Sequence, residues 1–158
     1  MYRYHKIILF ITFIIIFLLT YLLKCNFQDI ASECISIISI AMAIYAICIS
    51  SLISSPLLEK LKLTLDKQIK HKTQLGVLKC YIQIAMIISI LTIVFACISK
   101  LTSLKFENMI LSKEILIEIF DKLNLLQFFS STCFALFALN FVFIWLIFIF
   151  IINRQVDK

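Results

Sequence analysis

The sequence predicts an all-α membrane protein with four transmembrane helices and both termini in the cytoplasm. A short basic amphipathic helix is expected on the cytoplasmic side and a short amphipathic helix on the outer side. Three observations lead there. Hydrophobic residues make up 63% of the chain, charged residues only 15%, and the mean hydropathy is +1.08, a composition outside the range of soluble domains. Apolar runs of the length needed to cross roughly 30 Å of hydrocarbon, about 20 helical residues, recur along the chain. Lysine and arginine are distributed unequally between the segments that join those runs.

The first run covers residues 7–23, behind Arg3, His5 and Lys6. It is longer than the apolar region of a typical signal peptide and no small-x-small cleavage site follows, so it reads as a retained helix. The second run covers 30–53, the third 77–99 and the fourth 127–152, and the whole of 1–158 reads as a single transmembrane domain. Helices satisfy every backbone N–H and C=O within the segment, which lipid requires, and the polar–apolar alternation of a membrane barrel is absent.

Between the second and third runs, residues 55–75 read as one helix. Ser55 suits the cap, Pro56 the first helical position and Glu59 the first turn, and Lys70, His71 and Lys72 suit the end before Gly76. Leu58, Leu61, Leu65 and Ile69 share a face, with Lys60, Lys62, Lys67, Lys70 and Lys72 offered to lipid headgroups or to a protein partner. The plainer reading is a solvated connector whose lysines set topology. Between the third and fourth runs, Leu111, Ile115, Leu116, Ile119, Phe120 and Leu123 fall at helical spacing, which predicts an outer amphipathic helix over 111–124.

Orientation follows from charge. Arg3, Lys6, Lys60, Lys62, Lys67, Lys70, Lys72, Lys79, Arg154 and Lys158 lie on one side, 10 of the 15 basic residues. Lys24, Lys100, Lys105, Lys113 and Lys122 lie on the other, with six of the nine acids. The positive-inside rule places the first set in the cytoplasm. The net charge of +6 is then a topology signal that requires no direct nucleic-acid partner. Trp145, Tyr2, Tyr4 and Tyr21 suit the headgroup layer near helix ends.

Chemistry finds little purchase. Cys25, Cys34, Cys48, Cys80, Cys97 and Cys133 contain no C-x-x-C and have no histidine at ligand spacing, so most read as small apolar fillers, with a disulfide among the outer-side Cys25, Cys34, Cys97 and Cys133 left open. A single glycine excludes a P-loop or dinucleotide fingerprint. No metal or other cofactor is expected, and no enzyme activity. No ionisable residue falls near the bilayer midplane, Glu33 being the nearest, which argues against a coupled transporter.

The most ordered pattern is a heptad of small residues in the second helix: Ser32, Ser36, Ser39, Ala43, Ala46 and Ser50. The third helix repeats it in Ala85, Ser89, Thr92, Ala96 and Ser99. Small and hydroxylated residues let helix backbones approach closely in lipid. The two seams therefore pack on each other or on identical seams in other copies, while the sharper reading has the serines line a pore in a homo-oligomer. Asn140 and Gln83 are intramembrane amides, read as interhelical glue or, for Asn140, as a polar station on a conduction path.

The layout resembles small four-helix phage-exclusion membrane proteins of the RexB type. Shared features are the first helix close to the N-terminus, a serine- and alanine-bearing second helix in Ser36-Ile37-Ile38-Ser39-Ile40-Ala41-Met42-Ala43, the basic stretch from Glu59 to Lys72, and two further helices with a tiny tail. The resemblance implies a bacterial inner-membrane effector that depolarises or permeabilises the membrane when a cytoplasmic sensor docks at the basic loop. The expected function is thus an oligomeric channel-like effector of phage defence or a lysis-type process. A non-conducting accessory or immunity protein is the alternative, and a membrane-embedded enzyme the third.

Overall fold

The computed structural model describes residues 1–53, 55–66, 69, 72–108 and 125–156. Among them the architecture is all-helical apart from one isolated antiparallel bridge, Leu65 to Thr73. Helix α1 runs Arg3–Leu22, a 3₁₀ turn Phe27–Ile30, α2 Ala31–Ile53, α3 Leu57–Leu63, α4 Gln74–Asn108 and α5 Leu125–Val156. Four of these helices, all but α3, are long and apolar enough to cross a membrane. The predicted outer helix over 111–124 lies outside the described residues.

Local chemistry sets the boundaries. Helix α1 ends where Lys24 takes a left-handed conformation (φ 52°). Cys25 N–H then donates to Thr20 O (3.1 Å) and Lys24 N–H to Tyr21 O (3.3 Å), so the last carbonyls of α1 are satisfied in the manner of a Schellman motif. Asn26 Oδ1 accepts from Gln28 N–H (3.3 Å) to start the 3₁₀ turn, which runs directly into α2. Ser130 of α5 completes this corner by accepting from Phe27 N–H (2.7 Å) and donating to Cys25 O (2.8 Å).

Of the segment predicted as one helix over 55–75, residues 57–63 form a short helix, and the described residues of the strap that joins it to α4 (64–66, 69, 72 and 73) are non-helical. Pro56 stands at the cap rather than the first helical position, and α3 spans 7 residues. It stops at Thr64, whose backbone is extended (φ −88°, ψ 122°) and whose hydroxyl donates to Lys60 O (2.6 Å). Asp66 then organises the bend: its N–H donates to Lys72 O (2.9 Å) and its Oδ1 accepts from Ile69 N–H (2.9 Å). Side chains that bond neighbouring backbone offer the chain an alternative to the helix, and here they prevail over the apolar periodicity. Leu65, assigned to the apolar face of that helix, is 62% exposed, whereas Leu61 is buried. Gly76, expected after the helix end, sits instead in the first turn of α4, where its N–H donates to Thr73 Oγ1 (3.2 Å).

Helices α2, α4 and α5 form the packed heart of the bundle, and α1 lies along α5. The core is layered. At the end carrying the N-terminus, Tyr45, Leu61, Leu78, Tyr81, Phe143 and Leu146 belong to one apolar cluster. At the opposite end, Phe27, Ala31, Cys34, Ala96 and Cys133 form another. The outer surface is apolar as well: Phe10, Ile15, Leu19, Ile40, Ile47, Ile87, Phe141 and Trp145 are all exposed. Patches on this scale are not tolerated facing water and are the normal surface of a helix bundle facing lipid.

Candidate functional site

The two small-residue seams have opposite fates. In α4, Ala85, Ser89, Thr92, Ala96 and Ser99 are all buried. This seam faces α2 and α5 and lets α4 pack closely on both. In α2 the buried face is made by Ala31, Cys34, Ile38, Ala41 and Tyr45. The predicted seam lies on the other side: Ser36, Ser39, Ala43, Ala46 and Ser50 are exposed and Ser32 is half-buried. Of the two pairings the sequence left open, the seams on each other or on identical seams in other copies, neither is fixed by these positions alone: the α4 seam lies inside the subunit and the α2 seam on its outside. The larger Ile38 and Tyr45 fill the space that α4's small residues leave, so α2 turns its small residues outward.

The hydroxyls on the outward stripe are not destitute. Ser36 Oγ donates to Ser32 O (3.1 Å) and Ser39 Oγ to Ile35 O (2.8 Å). These bonds to the preceding turn let the stripe face outward with its hydroxyls satisfied, while its shallow relief stays open to another helix.

Between the two apolar clusters lies a polar layer. Asn140 Nδ2 donates to Thr92 Oγ1 (3.2 Å) and to Leu136 O (2.9 Å), and Asn140 Oδ1 accepts from Ser89 Oγ. Ser89 Oγ also lies within reach of Ala85 O (2.9 Å), and Tyr45 OH donates to Asn140 O (3.3 Å). Asn140 is 2% exposed. The amide ties α4 to α5 and brings α2 in through Tyr45, which is the arrangement of interhelical glue. Gln83, the other intramembrane amide, is exposed on α4. Beside Asn140 an apolar groove opens between α2 and α5, lined by Ile37, Ala41, Ile44, Phe137, Phe141 and Ile144 among others.

Of the basic residues assigned to docking, Lys60, Lys62 and Lys72 are exposed, and Lys67 and Lys70 lie outside the described residues. All six cysteines are free thiols. Cys34 and Cys133 are buried in the same cluster, Cys25, Cys48 and Cys80 are half-buried, and Cys97 is exposed.

One constellation escaped the sequence reading. At the N-terminal end of the bundle, Tyr2 OH donates to Asp66 Oδ2, and His5 Nδ1 is hydrogen-bonded to Tyr81 OH. The same Tyr81 oxygen accepts from Tyr2 N–H (3.1 Å). Asp66 is 2% exposed and Tyr81 fully buried. Tyr2, His5 and Tyr81 also meet ring edge to ring face, with Phe150 of α5 against both tyrosines. The sequence carried one signal of this: Asp66 is the only acid between Glu59 and Glu107, set among lysines where a solvated acid has no structural need to be.

Comparison with protein-family models, with curated proteins and with solved structures gave no match to this chain.

Proposed function

We propose that the protein is a multi-pass protein of the bacterial inner membrane, with its termini and the α2–α4 connection in the cytoplasm. In this reading it self-associates through the outward stripe of α2 and acts as a channel-like or membrane-perturbing effector. The process served is phage defence or a lysis-type event, set off when a cytoplasmic partner docks on the basic stretch Lys60–Lys72. The observation that carries this reading is the outward turn of the Ser36, Ser39, Ala43, Ala46 and Ser50 side chains. A helix that presents small residues to lipid, with its larger residues used for its own bundle, is suited to close association with another copy.

The packing supports a conduction path between copies: Ser89, Thr92 and Asn140 bond to one another inside the subunit, so in this reading the route does not pass Asn140. The test is ion flux from liposomes containing the purified protein, read alongside chemical cross-linking. A Ser36→Leu/Ser39→Leu double variant that inserts and folds normally is expected to lose both flux and the cross-linked oligomer. A folded Asn140→Leu variant is expected to keep both.

A second reading follows from the same polar layer. Ser89, Thr92 and Asn140 are engaged with one another inside the subunit, and in this reading a single copy does not conduct and the α2 stripe holds a different membrane protein in a non-conducting accessory or immunity role. Folded wild type that passes no ions at any voltage, yet forms a one-to-one complex with a membrane partner, would establish that reading instead. No enzyme activity is proposed.

A further inference from the structure

Helix α1 is the least embedded of the four long helices: only Leu9 and Thr20 along it are buried. Its middle lies on α5 through apolar contacts, and polar bonds hold it at its two ends. At the far end Gln127 Nε2 donates to Thr20 O (3.1 Å), and Ser130 holds the turn that follows. At the near end the bonds run to different elements: Tyr2 to Asp66 of the strap, and Tyr2 N–H and His5 to Tyr81 of α4.

The two ends differ in kind. The far end joins α1 to the helix it already packs on. The near end joins α1 to the strap between α3 and α4, and it does so through a carboxylate withdrawn from solvent. A buried carboxylate is stable only while hydrogen-bonded, so its bonds are strongly favoured when complete and strand the remaining groups when one is lost. Asp66 accepts from Tyr2 with one oxygen and from Ile69 N–H with the other. The fold of the strap and the seating of α1 thus share one residue.

The geometry points to a latch: the Tyr2–Asp66 bond, backed by His5–Tyr81, couples Asp66 and the Leu65–Thr73 bridge beside it to the near end of α1, so that displacing Asp66 releases this end of α1 from α4. Two discrete arrangements, bonded and released, are what a switching element requires. Asp66 lies within the stretch assigned above to a docking partner. The identity of the trigger rests on that reading, whereas the coupling rests on the contacts alone.

Cys80 provides the readout. It is half-buried, adjoins Tyr81, and has the Met1 backbone nitrogen 3.9 Å from its Sγ. The full chain in nanodiscs would be treated with a water-soluble maleimide, and labelling rates read cysteine by cysteine by peptide mass spectrometry. Tyr2→Phe, which deletes one hydroxyl, is expected to raise the Cys80 rate at least five-fold with Cys97 unchanged. Asp66→Ala should do the same, and the double variant should match Asp66→Ala rather than multiply the two effects. Cys34 and Cys133, both buried, report the bundle itself. If Asp66→Ala exposes them the fold has failed in that variant, and Tyr2→Phe decides alone. A Cys80 rate unchanged in Tyr2→Phe, or single effects that multiply in the double variant, would overturn the latch. Labelling requires no ion flux, so a silent flux assay with a raised Cys80 rate would sink the effector reading and leave the latch standing.

Discussion

The seam of α2 and the seam of α4 are nearly the same string of small residues, yet one faces outward and the other the centre of the bundle. In α4 every seam position is buried, and Ser89 and Thr92 are engaged by Asn140. In α2 the seam is turned away and its serines bond to their own preceding turn. A run of small residues therefore marks a surface on which another helix can lie closely without saying whose helix it is. What decides is the opposite face: α2 carries Ile38 and Tyr45 there, bulk that fills the gap left by α4's small side chains, whereas the opposite face of α4 leaves Met86, Ile87 and Ile90 exposed.

The contrast is broken most directly by adding bulk to each seam in turn. Ala85→Leu places a large side chain where exposure is zero, and overpacking of this kind costs about 1–3 kcal/mol. Ala43→Leu on the exposed stripe is expected to leave the stability of the isolated subunit within about 0.5 kcal/mol. Thermal unfolding of the detergent-solubilised protein checks both, and equal losses would mean that the stripe is also an internal surface. Next in size is the polar layer. Asn140→Leu removes bonds to Ser89 and Thr92, with an expected loss of about 1 kcal/mol and an upper bound near 1.7. A double-mutant cycle with Thr92→Val should show that the two losses do not add.

Outside the seams, Thr73→Ala deletes the hydroxyl that receives Gly76 N–H at the start of α4. Loss of such a cap costs about 1 kcal/mol in water. Circular dichroism on heating should place this variant below wild type by no more than Asn140→Leu. The smallest effect carries the opposite sign. Ser131 Oγ is buried with no hydrogen-bond partner among the described residues, so Ser131→Ala is expected to be neutral or to stabilise by up to about 1 kcal/mol in the same melt. A clear loss there would show that a water or another molecule engages the hydroxyl.

The spans were legible in the sequence because hydropathy and length are local properties. The helices over 7–23, 30–53, 77–99 and 127–152 correspond to α1, α2, α4 and α5, with α4 running further, to Asn108. Which face of each helix looks inward was not legible. When lipid and core are equally apolar, no polar–apolar contrast points toward the interior, so the signal that orients helices in soluble proteins is absent. The described part of the strap departs from helical spacing for a different reason. Leu58, Leu61, Leu65 and Ile69 do recur at helical spacing, but Thr64 and Asp66 bond the backbone locally and end the helix at Leu63. The Tyr2–Asp66 contact joins residues 64 positions apart, and nothing in either local stretch announces the other.

The packing of α1 bears on how the protein is built. Helix α1 lies along α5, and α5 is the most distant of the long helices from it in the chain. During synthesis α1 is complete well before the α5 surface it packs on exists, and it waits through that interval without that surface. Its largely apolar circumference is what makes the wait tolerable, since Phe10, Ile11, Ile14, Ile15, Leu18 and Leu19 remain exposed even in the finished bundle. Assembly thus closes in a ring, with the last long helix recruiting the first. A ribosome halted before Leu125 would leave α1 with its near-end bonds to Asp66 and Tyr81 but without the helix that covers its length.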